Sequence, residues 1–219
     1  MLKYPCLVLD HDDTVVQSMK TLSYPFFCYV QEKFRPGVFM SQADYIQDCH
    51  ELGFAVLCRM RFDYTDEELA QEHEMWMDYI RTHTPDPYPG IDRILRRHKE
   101  AGGILCVVSH SSEENILRDY RAHFSVMPDA VYGWELPEQQ RKPNPYSLLD
   151  IMEKYNFSKE QLLVVDDMKL SWKMAHPLGI KVAYAAWGDM GVPALEKEMT
   201  ALCDLRFDST KELENYLFD

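Results

Sequence analysis

Two kinds of apolar pattern divide the chain. Short apolar runs occur at Cys6 to Leu9, Ile104 to Val108, Leu162 to Val165 and Lys181 to Ala185, with a weaker candidate at Asp129 to Tyr132. Runs this short, bounded by polar or turn residues, predict buried strands. Elsewhere apolar residues recur every three or four positions, which predicts amphipathic helices. From Ile91 onward the two patterns alternate. Ile91, Ile94, Leu95 and His98 share one helix face, closed by Gly102-Gly103; Ile116, Leu117 and Tyr120 share the next, with Ser111 or Ser112 as its cap. Leu148, Leu149, Met152 and Tyr155 mark a further helix, Ser158 with Gln161 resembles a capping box, and Ser209 caps a terminal helix. Strands separated by helices predict βαβ units, a parallel sheet and an α/β fold.

Between the first strand and this alternating region the pattern is helical throughout. Phe26, Phe27, Val30 and Phe34 recur up to Pro36-Gly37. Ser41 opens a second helix carrying Ile46, Cys49, His50 and Leu52 to Gly53. Thr65-Asp66-Glu67-Glu68 is a capping box, behind which Leu69, His73, Trp76 and Ile80 mark one face up to the Pro-rich stretch at 85–89. The prediction is a helical insertion over residues 17–88, with 1–16 and 89–219 forming the α/β core. Asp63 to Glu74 carries six carboxylates, read as a solvated helix face.

A chain of 219 residues can bury one sizeable core plus a smaller inserted unit. Its net charge of −13, from 36 acids against 23 bases, argues against nucleic acid as a partner, because phosphate backbones attract basic surface. Six cysteines show neither a CxxC pair nor zinc spacing and read as small buried hydrophobes in a reducing compartment. The first strand begins close to Met1, leaving no room for a signal peptide, and no apolar run is long enough to span a bilayer. These features predict a cytoplasmic protein without a membrane partner.

The candidate chemistry lies at the strand ends. The first strand stops at Asp10-His11-Asp12-Asp13-Thr14, three acids in four residues. Two carboxylates about 4 Å apart cost each other roughly 4 kcal/mol at an effective dielectric near 20, so a cation belongs there. Mg²⁺ fits, since it takes carboxylate and carbonyl oxygens and is often completed by substrate phosphate. The second strand ends in Ser109 and the fourth in Asp166-Asp167; between them Lys142-Pro143 opens a helix. In open α/β sheets ligands bind outside the carboxyl ends of the strands, which would bring these residues together.

In this order, DxDxT at Asp10 to Thr14, a strand-end Ser109, Lys142 followed by Pro, and the acidic pair Asp166-Asp167, the sequence resembles the haloacid dehalogenase-like hydrolase superfamily. The resemblance is nearest to the group with a helical cap, which contains phosphoglycolate phosphatases and β-phosphoglucomutases. It implies a Rossmann-like parallel sheet with helices on both faces and the helical block as an inserted cap. It also implies an Mg²⁺-dependent phosphatase acting on a small phosphorylated metabolite, with a sugar phosphomutase or a non-catalytic phosphate-binding protein as the alternatives.

By the same resemblance Asp10 is the nucleophile that forms an aspartyl-phosphate, and Asp12 is the acid and base. Ser109 and Lys142 hold the transferring phosphoryl oxygens. Metal ligands are Asp10, the backbone carbonyl of Asp12, and Asp166, with Asp167 either supporting or replacing one of them. The second aspartate at Asp12 favours phosphoryl transfer over carbon–halogen cleavage. Asp13 stands where the family most often has Gly, and Leu170 and Ser171 stand where it commonly has a further acid. His11 and His110 adjoin motif residues and are candidates for the substrate pocket, or plain strand-end side chains. Arg59 and Arg61 are candidates for a second anionic group of the substrate. Trp187-Gly188 reads as packing.

Overall fold

A computed structural model describes residues 2–188 and 191–219; the side chain of His50 lies outside that description. Two compact units are distinguished: one of Met1–Gln17, Pro87–Gly188 and Glu196–Asp219, the other of Ser18–Asp86 and Asp189–Leu195.

The first unit is built on a parallel sheet of β1 (Cys6–Leu9), β2 (Ile104–Val108), β3 (Ala130–Tyr132), β4 (Leu162–Asp166), β5 (Lys181–Ala185) and β6 (Leu205–Phe207), in the order β3-β2-β1-β4-β5-β6. Strand side chains alternate between two apolar layers. Leu7, Leu9, Leu105, Val107, Leu163 and Val165 point to one face, where Ile91, Ile94, Ile116, Tyr120 and Leu213 cover them. Cys6, Val8, Cys106, Leu162 and Val164 point to the other, against Leu148, Ile151 and Met174. This is a Rossmann-like α/β fold with helices on both faces. It also explains why β1, β2 and β4 read as unbroken apolar runs: strands covered on both faces have no solvent side to record.

Strand β6 is not visible as a pattern in the sequence. It is three residues long, Leu-Arg-Phe, too short to show a period, and is defined by its pairing with Ala183–Ala185 of β5. The Ser158–Gln161 capping box is present but encloses only a short 3₁₀ turn, Lys159–Gln161.

The second unit is helical: α1 (Tyr24–Phe34), α2 (Gln42–Leu52), α3 (Phe54–Phe62) and α4 (Asp66–Thr82). Its interior is aromatic, with Phe27 against Tyr45 at 4.4 Å and Phe26 against Trp76 at 5.1 Å between ring centres. Arg35, just past α1, fixes the turn into α4 by donating to both Glu68 carboxylate oxygens (2.7 and 2.9 Å) and to the Phe62 and Asp63 carbonyls (2.8 Å each). Thr65 and Glu68 form the expected capping box. The buried face of α4, however, differs from the sequence reading. Glu72 and Ile80 are buried and His73 is exposed, so the acidic run is not wholly solvated. Positions 72, 76 and 80 follow the i, i+4 spacing of one helix face, and Glu72 occupies it despite its polarity.

The remaining helices, α5 (Ile91–Glu100), α6 (Glu113–His123), α7 (Tyr146–Tyr155), α8 (Lys169–Ala175), α9 (Pro193–Leu202) and α10 (Thr210–Phe218), follow the strands in alternation. No helix of the described residues is long and apolar enough to cross a membrane. The described cysteines are free thiols.

Candidate functional site

Parallel pairing sets the site. Leu9 is in register with Val107 and Val165, so the residues following β1, β2 and β4 emerge side by side where the chain order in the sheet reverses, the position at which α/β sheets bind ligands. The Asp10 amide donates to the Val165 carbonyl at 3.0 Å, extending this alignment into the loop.

The loop after β1 is tightly wound. The Asp13 amide donates to Val16 (2.7 Å), the Val15 amide returns to His11 (2.9 Å), and Asp13 adopts a left-handed backbone with φ of 56°. That conformation is the one glycine favours, and Asp tolerates it better than most residues. Trp187 Nε1 donates to the Thr14 carbonyl at 3.0 Å, and a Cβ at Gly188 would meet the Asp13 carbonyl oxygen at 2.6 Å. Trp187-Gly188 thus braces the back of this loop, and Gly188 is required by the close backbone approach.

Lys142 is the electrostatic centre. Its buried ammonium donates to Asp10 Oδ1 at 2.6 Å and Asp166 Oδ2 at 2.9 Å, and lies 3.5 Å from Ser171 Oγ. Burial opposes its charge, but the two carboxylates outweigh that and hold its pKa above the ordinary lysine value. Asp166 also accepts the Met168 amide at 2.7 Å and the Ser171 hydroxyl. Ser171, at a position where the family commonly carries an acid, instead supplies a hydroxyl to the acid already present.

Asp12 is held differently. Ser111 Oγ donates to Asp12 Oδ2 at 2.6 Å, and Ser109 Oγ lies 3.4 Å from the same oxygen. The α6 cap is Ser112, whose Oγ accepts the Asn115 amide, leaving Ser111 for Asp12. Ser111 and Ser171 are the two site residues that the sequence motifs did not single out. The only signal available was the serine run beginning at Ser109, in which the functional hydroxyl and the cap look alike.

One carboxylate oxygen from each of Asp10, Asp166 and Asp167 can lie within 4.8 Å of the others, all three side chains being buried. Burial pushes Asp10 up to about 7, with Asp166 and Asp12 adding to the rise and Lys142 opposing it. Asp167 is raised well above the usual carboxylate range, first by burial and then by Asp166, Asp10 and Asp13. Thr14 Oγ1 stands 3.4 Å from Asp167. Crowded hard oxygen donors served by one ammonium suit a small divalent cation such as Mg²⁺. The donor set therefore fits Asp10, Asp166 and Asp167 as the carboxylate ligands, whereas the Asp12 carboxylate is taken up by the two serines.

The histidines are arranged otherwise than the sequence suggested. His11 is buried, its Nε2 3.0 Å from Asp119 Oδ2 and its ring stacked on Tyr120 at 6.0 Å. It points into the apolar layer under α6 because the strand alternation that aims Asp10 and Asp12 at the site turns the intervening residue away, so its placement in the substrate pocket is corrected. His110 is exposed, and its Nε2 donates to the Lys142 carbonyl at 3.0 Å, which ties down the segment that carries the lysine. Arg59 and Arg61 belong to the helical unit and already have acid partners there: Arg59 bonds Asp66 at 2.7 Å, and Arg61 bonds Asp48 at 2.7 and 3.1 Å. A substrate anion would have to compete with those carboxylates.

The sequence pattern of haloacid dehalogenase-like hydrolases matches residues 7–185. The chain belongs to this family. Its fold is shared by solved members and relatives at low sequence identity. A predicted phosphoglycolate phosphatase from Haemophilus somnus 129pt has a TM-score of 0.72 and 18% identity, covering 99% of both chains. A haloacid dehalogenase-like protein of unknown function from Agrobacterium tumefaciens has a TM-score of 0.78 at 14% identity, with 97% of each chain covered. CbbY from Rhodobacter sphaeroides, in complex with xylulose-1,5-bisphosphate, has a TM-score of 0.71 at 18% identity over 97% of this chain and 96% of its own. No curated protein matches the sequence.

Proposed function

We propose that this haloacid dehalogenase-like hydrolase is an Mg²⁺-dependent phosphatase that hydrolyses a small phosphate monoester through an aspartyl-phosphate on Asp10. The observation that carries the reading is the pairing of roles at the end of β1. Asp10 sits on the buried Lys142 ammonium at 2.6 Å, while Asp12, two residues on, faces the hydroxyls of Ser111 and Ser109. One carboxylate is thereby kept next to positive charge, as a nucleophile attacking a phosphate dianion requires. The other is held by two neutral hydroxyls, a setting suited to passing a proton.

In the proposed sequence an Asp10 oxygen attacks phosphorus and the ester P–O bond breaks, with Asp12 giving its proton to the departing alkoxide. Asp12 then takes a proton from water, whose oxygen attacks phosphorus and returns Asp10 as a free carboxylate. Lys142 and Ser109 steady the phosphoryl oxygens, since phosphoryl transfer depends mainly on positioning and charge stabilisation. Mg²⁺ bound by Asp10, Asp166 and Asp167 would supply the positive charge that the lysine alone does not. Support for a phosphorylated metabolite comes from the fold relatives, one a predicted phosphoglycolate phosphatase and one holding a sugar bisphosphate.

The test is hydrolysis of an aryl phosphate and of a panel of sugar, nucleotide and glycolate phosphates, with Mg²⁺ and with chelator. Turnover should require the metal and fall at least about a thousandfold in Asp10→Asn. Hydrolysis that survives in this variant would remove Asp10 as nucleophile, and absence of turnover across the panel would remove the phosphatase reading.

A further inference from the structure

The helical unit contains a cavity of its own. Phe26, Phe27, Tyr45, Phe54 and Trp76 line a space of about 280 Å³, and Glu72 lines it with them. Glu72 is only 8% exposed. Among the described residues no donor hydrogen-bonds it and no cation pairs with it, and burial alone raises its pKa to about 7. Every other strongly buried acid described above has a partner. A carboxyl this largely withdrawn from water, with neither a donor nor a counter-ion, costs stability. Such a group is explained if a ligand completes it.

The walls restrict what that ligand is. Aromatic faces carry negative potential and attract cations, and most strongly where water is excluded. The other lining side chains are Ser23 and His73, the latter exposed; no lysine or arginine lines the cavity. An anion would meet the Glu72 charge and the ring faces, and a neutral apolar molecule would leave the carboxylate unpaired. The volume of about 280 Å³ lies just below the roughly 300–1,000 Å³ typical of small-molecule sites, enough for a compact amine and too small for a peptide.

We propose that this cavity binds a small organic cation, a primary or quaternary ammonium, with Glu72 as its counter-ion and the surrounding rings as its walls. The inference is independent of phosphate chemistry, because it concerns binding and is tested without turnover.

The test is calorimetric titration of the whole protein with choline and with benzylamine, each beside a neutral molecule of the same shape, 3,3-dimethylbutanol and benzyl alcohol. At least one cation should bind saturably and about tenfold or more tighter than its neutral counterpart. Glu72→Gln should abolish that preference while melting at or above the wild-type temperature, since it removes an unpaired buried charge. Trp76→Leu, which keeps the carboxylate and removes one wall, should weaken the cation severalfold and so locates the site even if the first variant does not fold. The proposal is overturned if neither cation binds saturably, if a cation and its neutral counterpart bind equally, or if either folded variant binds the cation as wild type does.

Discussion

Buried acids are treated in opposite ways at two places in the α/β unit. Glu214 on α10, with a side chain 2% exposed, is met by three cations: Arg93 at 2.7 Å, Arg97 at 2.8 Å and Lys211 at 3.2 Å. Its pKa is lowered to about 2, first by the Arg93 hydrogen bond. At the strand ends the single ammonium of Lys142 pairs with Asp10 and Asp166, with Asp167 clustered beside them, and Asp10 is pushed up to about 7. Where acid is only structural, positive charge is in excess. Where it is in deficit, the clustered acids could hold a cation from outside the chain.

The largest test of this contrast is to remove one cation from each place. Lys142→Met should destabilise the fold by about 3–5 kcal/mol, because it strands buried carboxylates. Arg93→Met should cost far less, since its guanidinium is half exposed and two other cations remain. Denaturant midpoints compare the two directly, and equal losses would break the distinction.

Adding the missing charge comes next. If Asp10, Asp166 and Asp167 hold Mg²⁺, saturating metal should raise unfolding stability by RT ln(1 + [L]/Kd), about 2.7 kcal/mol at about 100 times Kd. The gain should vanish in Asp166→Ala and persist in Glu214→Gln. A smaller effect is expected at Asp12. Ser111→Ala removes its 2.6 Å hydrogen bond but keeps Ser109, so kcat should fall about tenfold, the equivalent of one hydrogen bond to a charged group. An unchanged kcat would relegate Ser111 to loop packing.

In the pH dependence of stability the two places have opposite signs. Glu214, lowered from 4.5 to about 2, is deprotonated in the folded chain over an interval in which the unfolded chain binds the proton. Its stabilisation is complete above the upper value and is lost as pH falls through the lower one. Asp10, raised from 3.8 to about 7, keeps a proton when folded that the unfolded chain has released. With chelator present, stability from this source should therefore decline as pH rises through that interval, and Mg²⁺ should cancel the decline. Unfolding titrations of wild type, Glu214→Gln and Asp10→Asn separate the two contributions.

The parts of the site that were legible in the sequence are those that strand geometry dictates. An acid, a serine and an acid pair at the ends of β1, β2 and β4 must converge if the sheet is parallel, and they do. For His11 the sequence left two readings open, pocket or plain strand-end side chain; the alternation of side chains that aims Asp10 and Asp12 one way turns the residue between them toward Asp119. Glu72 was misread. It lies in an acidic run that looks solvated, and only the packing of α1, α2 and α4 encloses it.

By itself the sequence determined the alternation of strands and helices, the helical insertion and the ordered motif residues, because these are written in local period and spacing. Only the tertiary structure decided the sheet edge at β6, the choice of Ser111 for Asp12 and of Ser171 for Asp166, and the partners of His11, Arg59 and Arg61. Each of those depends on which of several equivalent polar groups comes within hydrogen-bonding distance of a charge. That distance is set by contacts between residues remote in sequence, to which local pattern is blind.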